Sequence, residues 1–138
     1  GMLDSPSQTT RMAILARIIE AASKEAFAPV SEYFLELVRS GAEDDECEAV
    51  GQALVASDID AAGPLLISWI RPGGFFGRMI EMPGQKYLHW AAVTGLSQVP
   101  GKKADKVIKW LSKRAGGKVH AHCMRALVKR RRSGLSDG

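Results

Sequence analysis

Apolar positions along this chain recur every three or four residues and hardly ever every two, which predicts helices and no sheet. Ile14, Leu15, Ile18 and Ile19 share one face of a first stretch, 11–24. Val30, Tyr33, Phe34, Leu37 and Val38 do so in a second, with Pro29 in its first turn and Gly41 as its stop. A third stretch opens on Glu43, Asp44, Asp45 and Glu46, where the helix dipole favours anions, and runs to Ala56. Ser57 or Asp58 caps a fourth, which carries Leu65, Leu66, Trp69 and Ile70 to Arg71 and tolerates Pro64 only near its start. Pro72-Gly73-Gly74-Phe75-Phe76-Gly77 then breaks the pattern, and Met79–Met82 reads as a short turn. Further helices are expected over 85–98, 102–114 and 118–131, separated by Pro100-Gly101 and Gly116-Gly117. That makes six helices, or seven with the N-terminal stretch.

The helices repeat weakly. Phe34–Arg39 aligns with Leu66–Arg71 at a spacing of 32, and Leu88-His89 aligns with Val119-His120 at 31. Trp69-Ile70 aligns with Trp110-Leu111 at 41, and Ala53-Leu54 with Gly95-Leu96 at 42. One unit therefore carries about ten extra residues, which the Gly-rich segment 72–82 supplies. The units Ala49–Leu54 with Asp58–Ile70, and Trp90–Leu96 with Ala104–Leu111, resemble HEAT-like or armadillo-like repeats over residues 28–131. The resemblance implies an all-α, right-handed α-α superhelix of about three helix pairs, acting as a non-enzymatic interaction scaffold. An irregular helical bundle is the alternative.

The chain is 138 residues long, enough for one domain with a real core. That domain is expected over 11–132, with loose ends at 1–10 and 133–138. The longest apolar run, Ala61–Ile70, is far short of the ~20 residues of a membrane span. No cationic start leads into an apolar core as in a signal peptide, and Cys47 and Cys123 sit in amphipathic patterns. Reduced thiols and a cytoplasmic location are the expectation.

Charge changes the picture most. Residues 1–101 carry a net −6, and residues 102–138 a net +10. Lys102, Lys106, Lys109 and Lys113 form one helical stripe, and Lys118, His122, Arg125, Lys129 and Arg132 a second. Opposite them lie Val107, Ile108 and Leu111, and Val119, Cys123, Met124 and Leu127. Such a surface attracts nucleic acid or another polyanion through its phosphates, with little base discrimination. The bland reading is a solvated polar face capping the array. Arg130-Arg131-Arg132 reads as a flexible basic arm.

Other chemistry is thin. His120 and His122 point about 200° apart on one helix, so they do not converge on a metal. Neither cysteine has a recognisable partner for nucleophilic catalysis. The glycines at 73–77 lack the Lys-Ser/Thr of a phosphate loop, so no cofactor is expected. Phe75 and Phe76 either plug the core or present an apolar contact to a protein partner. The acidic run 43–48 and the basic C-terminal third are complementary, which would let two copies associate.

Overall fold

In the computed structural model, which describes residues 3, 7–71 and 84–137, the chain is all-α. Seven α-helices are present among the described residues: α1 Gln8–Ala21, α2 Phe27–Ser40, α3 Asp44–Ser57, α4 Ile59–Ile70, α5 Gln85–Leu96, α6 Lys102–Arg114 and α7 Gly117–Arg132. The N-terminal stretch is thus a helix, and it begins three residues earlier than its apolar pattern, at the Ser7 cap. The Asp58 side chain caps α4, accepting from the Ala61 amide at 3.2 Å. Pro64 lies in the second turn of α4 on an exposed face, where the Asp60 carbonyl that loses its donor is near the open helix start.

Alternate helices stack on one another. α3 packs on α1 and α5, α5 packs in turn on α7, and α4 touches α6. Phe34 of α2 meets Trp69 of α4 with ring centroids 5.6 Å apart. One continuous core runs through all seven helices, from Leu15 and Phe34 through Val50, Leu54, Leu66 and Leu96 to Ile108, Cys123 and Leu127. α1 is held to α3 by a forked ion pair: Arg11 Nε and Nη2 donate to the two carboxylate oxygens of the buried Glu46 at 2.9 and 3.2 Å.

The closest crossing is between α3 and α5, and glycine sets it. A Cβ on Gly51 would lie 2.3 Å from the Ala91 carbonyl oxygen, and one on Gly95 would lie 2.4 Å from Leu66 Cδ1. Gly95 lies in the segment that aligns with Ala53-Leu54 at a spacing of 42, and its added Cβ would also lie 3.1 Å from the Gly51 carbonyl oxygen of α3. Gly84, which opens α5 at φ +76°, rests against Val38, where a Cβ would come within 2.5 Å of a backbone oxygen.

Candidate functional site

The last two helices form an antiparallel hairpin. Near its open end Asp105 meets Arg130, and near its turn His120 Nδ1 donates to the Ser112 carbonyl at 2.7 Å. Ala104, Val107, Ile108 and Leu111 turn inward from α6, and Cys123, Ala126 and Leu127 from α7. Lys102, Lys106, Lys109 and Lys113 are all exposed, as the i, i+4, i+7 spacing requires.

The second stripe is only partly on the surface. Lys118, Arg125, Lys129 and Arg132 are exposed, but His122 is 8% exposed and belongs to the core. α7 is turned by a fraction of a turn from the register its charges suggest. The reason is Trp90 of α5, whose ring stacks on the imidazole at 4.0 Å and 7°. His122 Nε2 also lies 2.9 Å from Thr94 Oγ1 and 3.2 Å from the Trp90 carbonyl oxygen. A carbonyl only accepts, so the ring carries its proton on Nε2. Burial pushes the His122 pKa below 6.5, against the opposing pull of the Trp90 carbonyl and of Glu48. The same rotation turns Met124, expected on the buried face, outward to 45% exposure.

His89 is likewise shifted below 6.5 by burial, and its Nε2 has no hydrogen-bond partner among the described residues. For both histidines the unfolded chain binds more protons below pH 6.5, so their stabilising contribution is full above that value and falls on acidification. Denaturant midpoints are expected to drop between about pH 7.5 and 5, and to drop less in His89→Gln/His122→Gln. Equal pH slopes for the two proteins would contradict this assignment.

The triple arginine is not an arm. α7 runs through Arg132, and Arg130 is 0% exposed. Its Nε donates to Asp105, its Nη1 to the carbonyls of Leu96 (2.6 Å) and Val99, and its Nη2 to those of Gly101 (2.7 Å) and Leu135 (3.4 Å). Residues 133–136 fold back on the hairpin. A 3-10 turn at Leu135–Asp137 returns the chain to the hairpin, where the Gly101 amide donates to the Leu135 carbonyl at 3.1 Å and Ser136 Oγ to Asp105 at 3.1 Å. Burial alone would raise the Asp105 pKa. The hydrogen bonds from Arg130 and Ser136, with the charges of Arg130 and Lys109, outweigh it and hold the carboxyl below its ordinary value.

This inward turn has an electrostatic consequence. Asp105 is the sole acidic residue between Lys102 and Arg132, and the buried Arg130 neutralises it from within. The exposed side chains of the hairpin are therefore cationic without exception wherever they are charged. Lys118 is the one stripe residue with an acidic partner among the described residues, pairing with Asp44 of α3 at 2.7 Å.

The acidic run is largely engaged within the chain. Asp44 holds Lys118, Asp45 accepts from Gln8 at 3.1 Å, Glu46 holds Arg11, and Glu48 accepts from Trp90 Nε1 at 3.3 Å. One ion pair, Asp44 with Lys118, joins the acidic run to the basic C-terminal third within one copy. Trp69 and Trp90 are core residues, whereas Trp110 is half-buried with the guanidinium of Arg114 4.2 Å, and that of Arg71 5.6 Å, from its ring centre. Phe75 and Phe76 lie outside the described residues.

Among the described residues no three His, Cys, Asp or Glu side chains gather as metal ligands, and no helix is long and apolar enough to cross a membrane. Cys47 and Cys123 are free and buried. Burial, helped by Asp44 and Glu46, pushes the Cys47 thiol up to about 12, and burial pushes Cys123 up to about 11. Both are therefore protonated, unreactive thiols at neutral pH. Comparison of the chain with protein-family models, with characterised proteins and with solved structures finds no match, so the functional reading rests on the geometry above.

Proposed function

We propose that this chain is a non-enzymatic interaction module that binds an acidic surface of a partner protein through the α6–α7 hairpin. The observation that carries this is the single sign of that face: the one carboxylate that would have mixed it, Asp105, is turned inward onto Arg130. A merely solvated helix face gains from alternating charge, because like charges at i, i+4 repel. Lys102, Lys106, Lys109 and Lys113 keep that repulsion, which an acidic partner would relieve. The scaffold reading is a HEAT-like array in the cytoplasm. It is supported by the next-but-one stacking of α1, α3, α5 and α7 and by the two free thiols.

Nucleic-acid binding is the second reading, favoured by α6, whose exposed lysines have no exposed large apolar side chain among them. Titration of labelled poly-glutamate, duplex DNA and duplex RNA over a salt series separates the two. Poly-glutamate is expected to bind at about 50 mM salt, to weaken steeply by about 200 mM, and to be lost in Lys106→Glu/Arg125→Glu. Tighter binding of a nucleic acid at matched charge would favour the second reading. No binding of any probe at low salt would remove both.

A further inference from the structure

We infer that the outer face of α7 carries a docking groove for an acidic amphipathic helix of the partner. This deepens the proposed function and rests on it. Met124 and Val128, one turn apart, are 45% and 39% exposed, whereas the buried side of the helix is made by His122, Cys123, Ala126, Leu127 and Arg130. Together with Arg125, Lys129, Arg132 and Ser133 they line a shallow, mainly apolar depression of ≈ 460 Å³.

The two kinds of lining residue are segregated. On a helix, Met124 and Val128 form one ridge, with Ala121 continuing it, while Arg125, Lys129 and Arg132 at i, i+4 and i+7 form the adjacent ridge. None of these three cations has an acidic partner among the described residues. The surface thus offers an apolar contact one turn long beside a row of unneutralised cations. Its complement is a helix with apolar side chains at i, i+3 or i+4 and carboxylates along one flank.

The geometry selects against the other polyanions. A phosphate backbone gains from the cations but has nothing to place against Met124 and Val128. A lipid surface would need apolar side chains that project from the helix into the acyl region, commonly including aromatic residues. Here the apolar strip is one turn long, Met124 to Val128, and holds no aromatic residue, which is little to insert among acyl chains.

The test uses the full chain and two synthetic helical peptides of about 20 residues with identical composition. One places Leu at i, i+4 and i+7 with Glu on the flank; the other disperses the same Leu and Glu around the helix. Fluorescence anisotropy is expected to give the ordered peptide a Kd roughly tenfold lower, the scale of one well-placed apolar anchor. Met124→Ala/Val128→Ala should abolish that preference while leaving the salt-dependent binding common to both peptides. Circular dichroism checks the fold of that variant, which loses only half-exposed side chains. Equal affinity of the two peptides for the wild-type chain would overturn the groove and leave the charged face standing. Binding of neither peptide at low salt would overturn the proposed function itself. Stronger Met124- and Val128-dependent binding to phosphatidylserine vesicles, or to duplex DNA, would overturn the choice of partner.

Discussion

Replacing Arg130 with alanine is expected to destabilise the protein by about 3 kcal/mol or more, because it removes a fully buried guanidinium and leaves the half-buried Asp105 and four carbonyls without their donor. Stabilities of domains of this size are about 5–15 kcal/mol, so the variant is expected to be partly unfolded or to melt at a much lower temperature. Guanidinium has five N–H donors, and Arg130 has five acceptors: the Asp105 carboxylate and the carbonyls of Leu96, Val99, Gly101 and Leu135. Leu96 is the last residue of α5 and Val99 lies in the turn after it, so one side chain ties that helix end, the loop to α6 and the C-terminal turn together. Arg130→Lys keeps the charge but not the planar fork, and should fall between alanine and wild type. The neighbouring Arg131 is exposed, and Arg131→Ala should stay within about 0.5 kcal/mol of wild type. Urea midpoints for the three variants decide the matter. If Arg130→Ala and Arg131→Ala melt alike, the buried latch is wrong.

Gly51→Ala is the second large effect, and its sign is opposite to helix propensity. Alanine gains about 1 kcal/mol over glycine inside a helix. At Gly51, however, the new methyl would sit 2.3 Å from the Ala91 carbonyl oxygen and 3.0 Å from the Gly95 nitrogen. Both are backbone atoms that no rotamer change can move. Overpacking typically costs about 1–3 kcal/mol, and with two backbone atoms in the way the upper end applies here, so after the propensity gain a net loss of about 2 kcal/mol is expected. For a chain of this length that lowers Tm by roughly 7 °C. Gly63 is the internal contrast. It is also a buried helical glycine, but its added Cβ would meet only Val99 Cγ1, at an ordinary 3.4 Å. Gly63→Ala should therefore be neutral or stabilise by up to about 1 kcal/mol. Differential scanning calorimetry on the two variants tests the crossing directly. A Gly51→Ala protein that melts above wild type would mean that α3 and α5 are not in backbone contact.

The helices themselves were readable because each rule that defines them is local. Asp58 caps α4, Pro29 sits in the first turn of α2, and Pro100-Gly101 and Gly116 flank α6 where the sequence breaks. The exposed lysines of α6 were readable for the same reason: its apolar and charged positions divide cleanly around the helix. α7 was harder because two registers compete. Positions 118, 122, 125, 129 and 132 give a polar stripe, whereas 119, 122, 123, 126, 127 and 130 give an inward face. Position 122 belongs to both. A signal for the inward face was present, since Arg130 continues the spacing of Cys123, Ala126 and Leu127, but a run of three arginines masks it.

Sequence by itself determined the all-α class, the number and approximate limits of the helices, the segregation of charge and the likeness of α3 to α5. These follow from periodicity, capping and composition, which act over a few residues at a time. Tertiary structure decided which charges are available. Arg130 and Asp105 are 25 residues apart and cancel at the edge of the core, Lys118 and Asp44 are 74 apart and pair at the surface, and His122 is taken into the core by Trp90. A side chain's charge has functional meaning only with its desolvation and its partner, and both are set by helices that meet from distant parts of the chain. The same contacts turned Met124 outward beside the remaining cations.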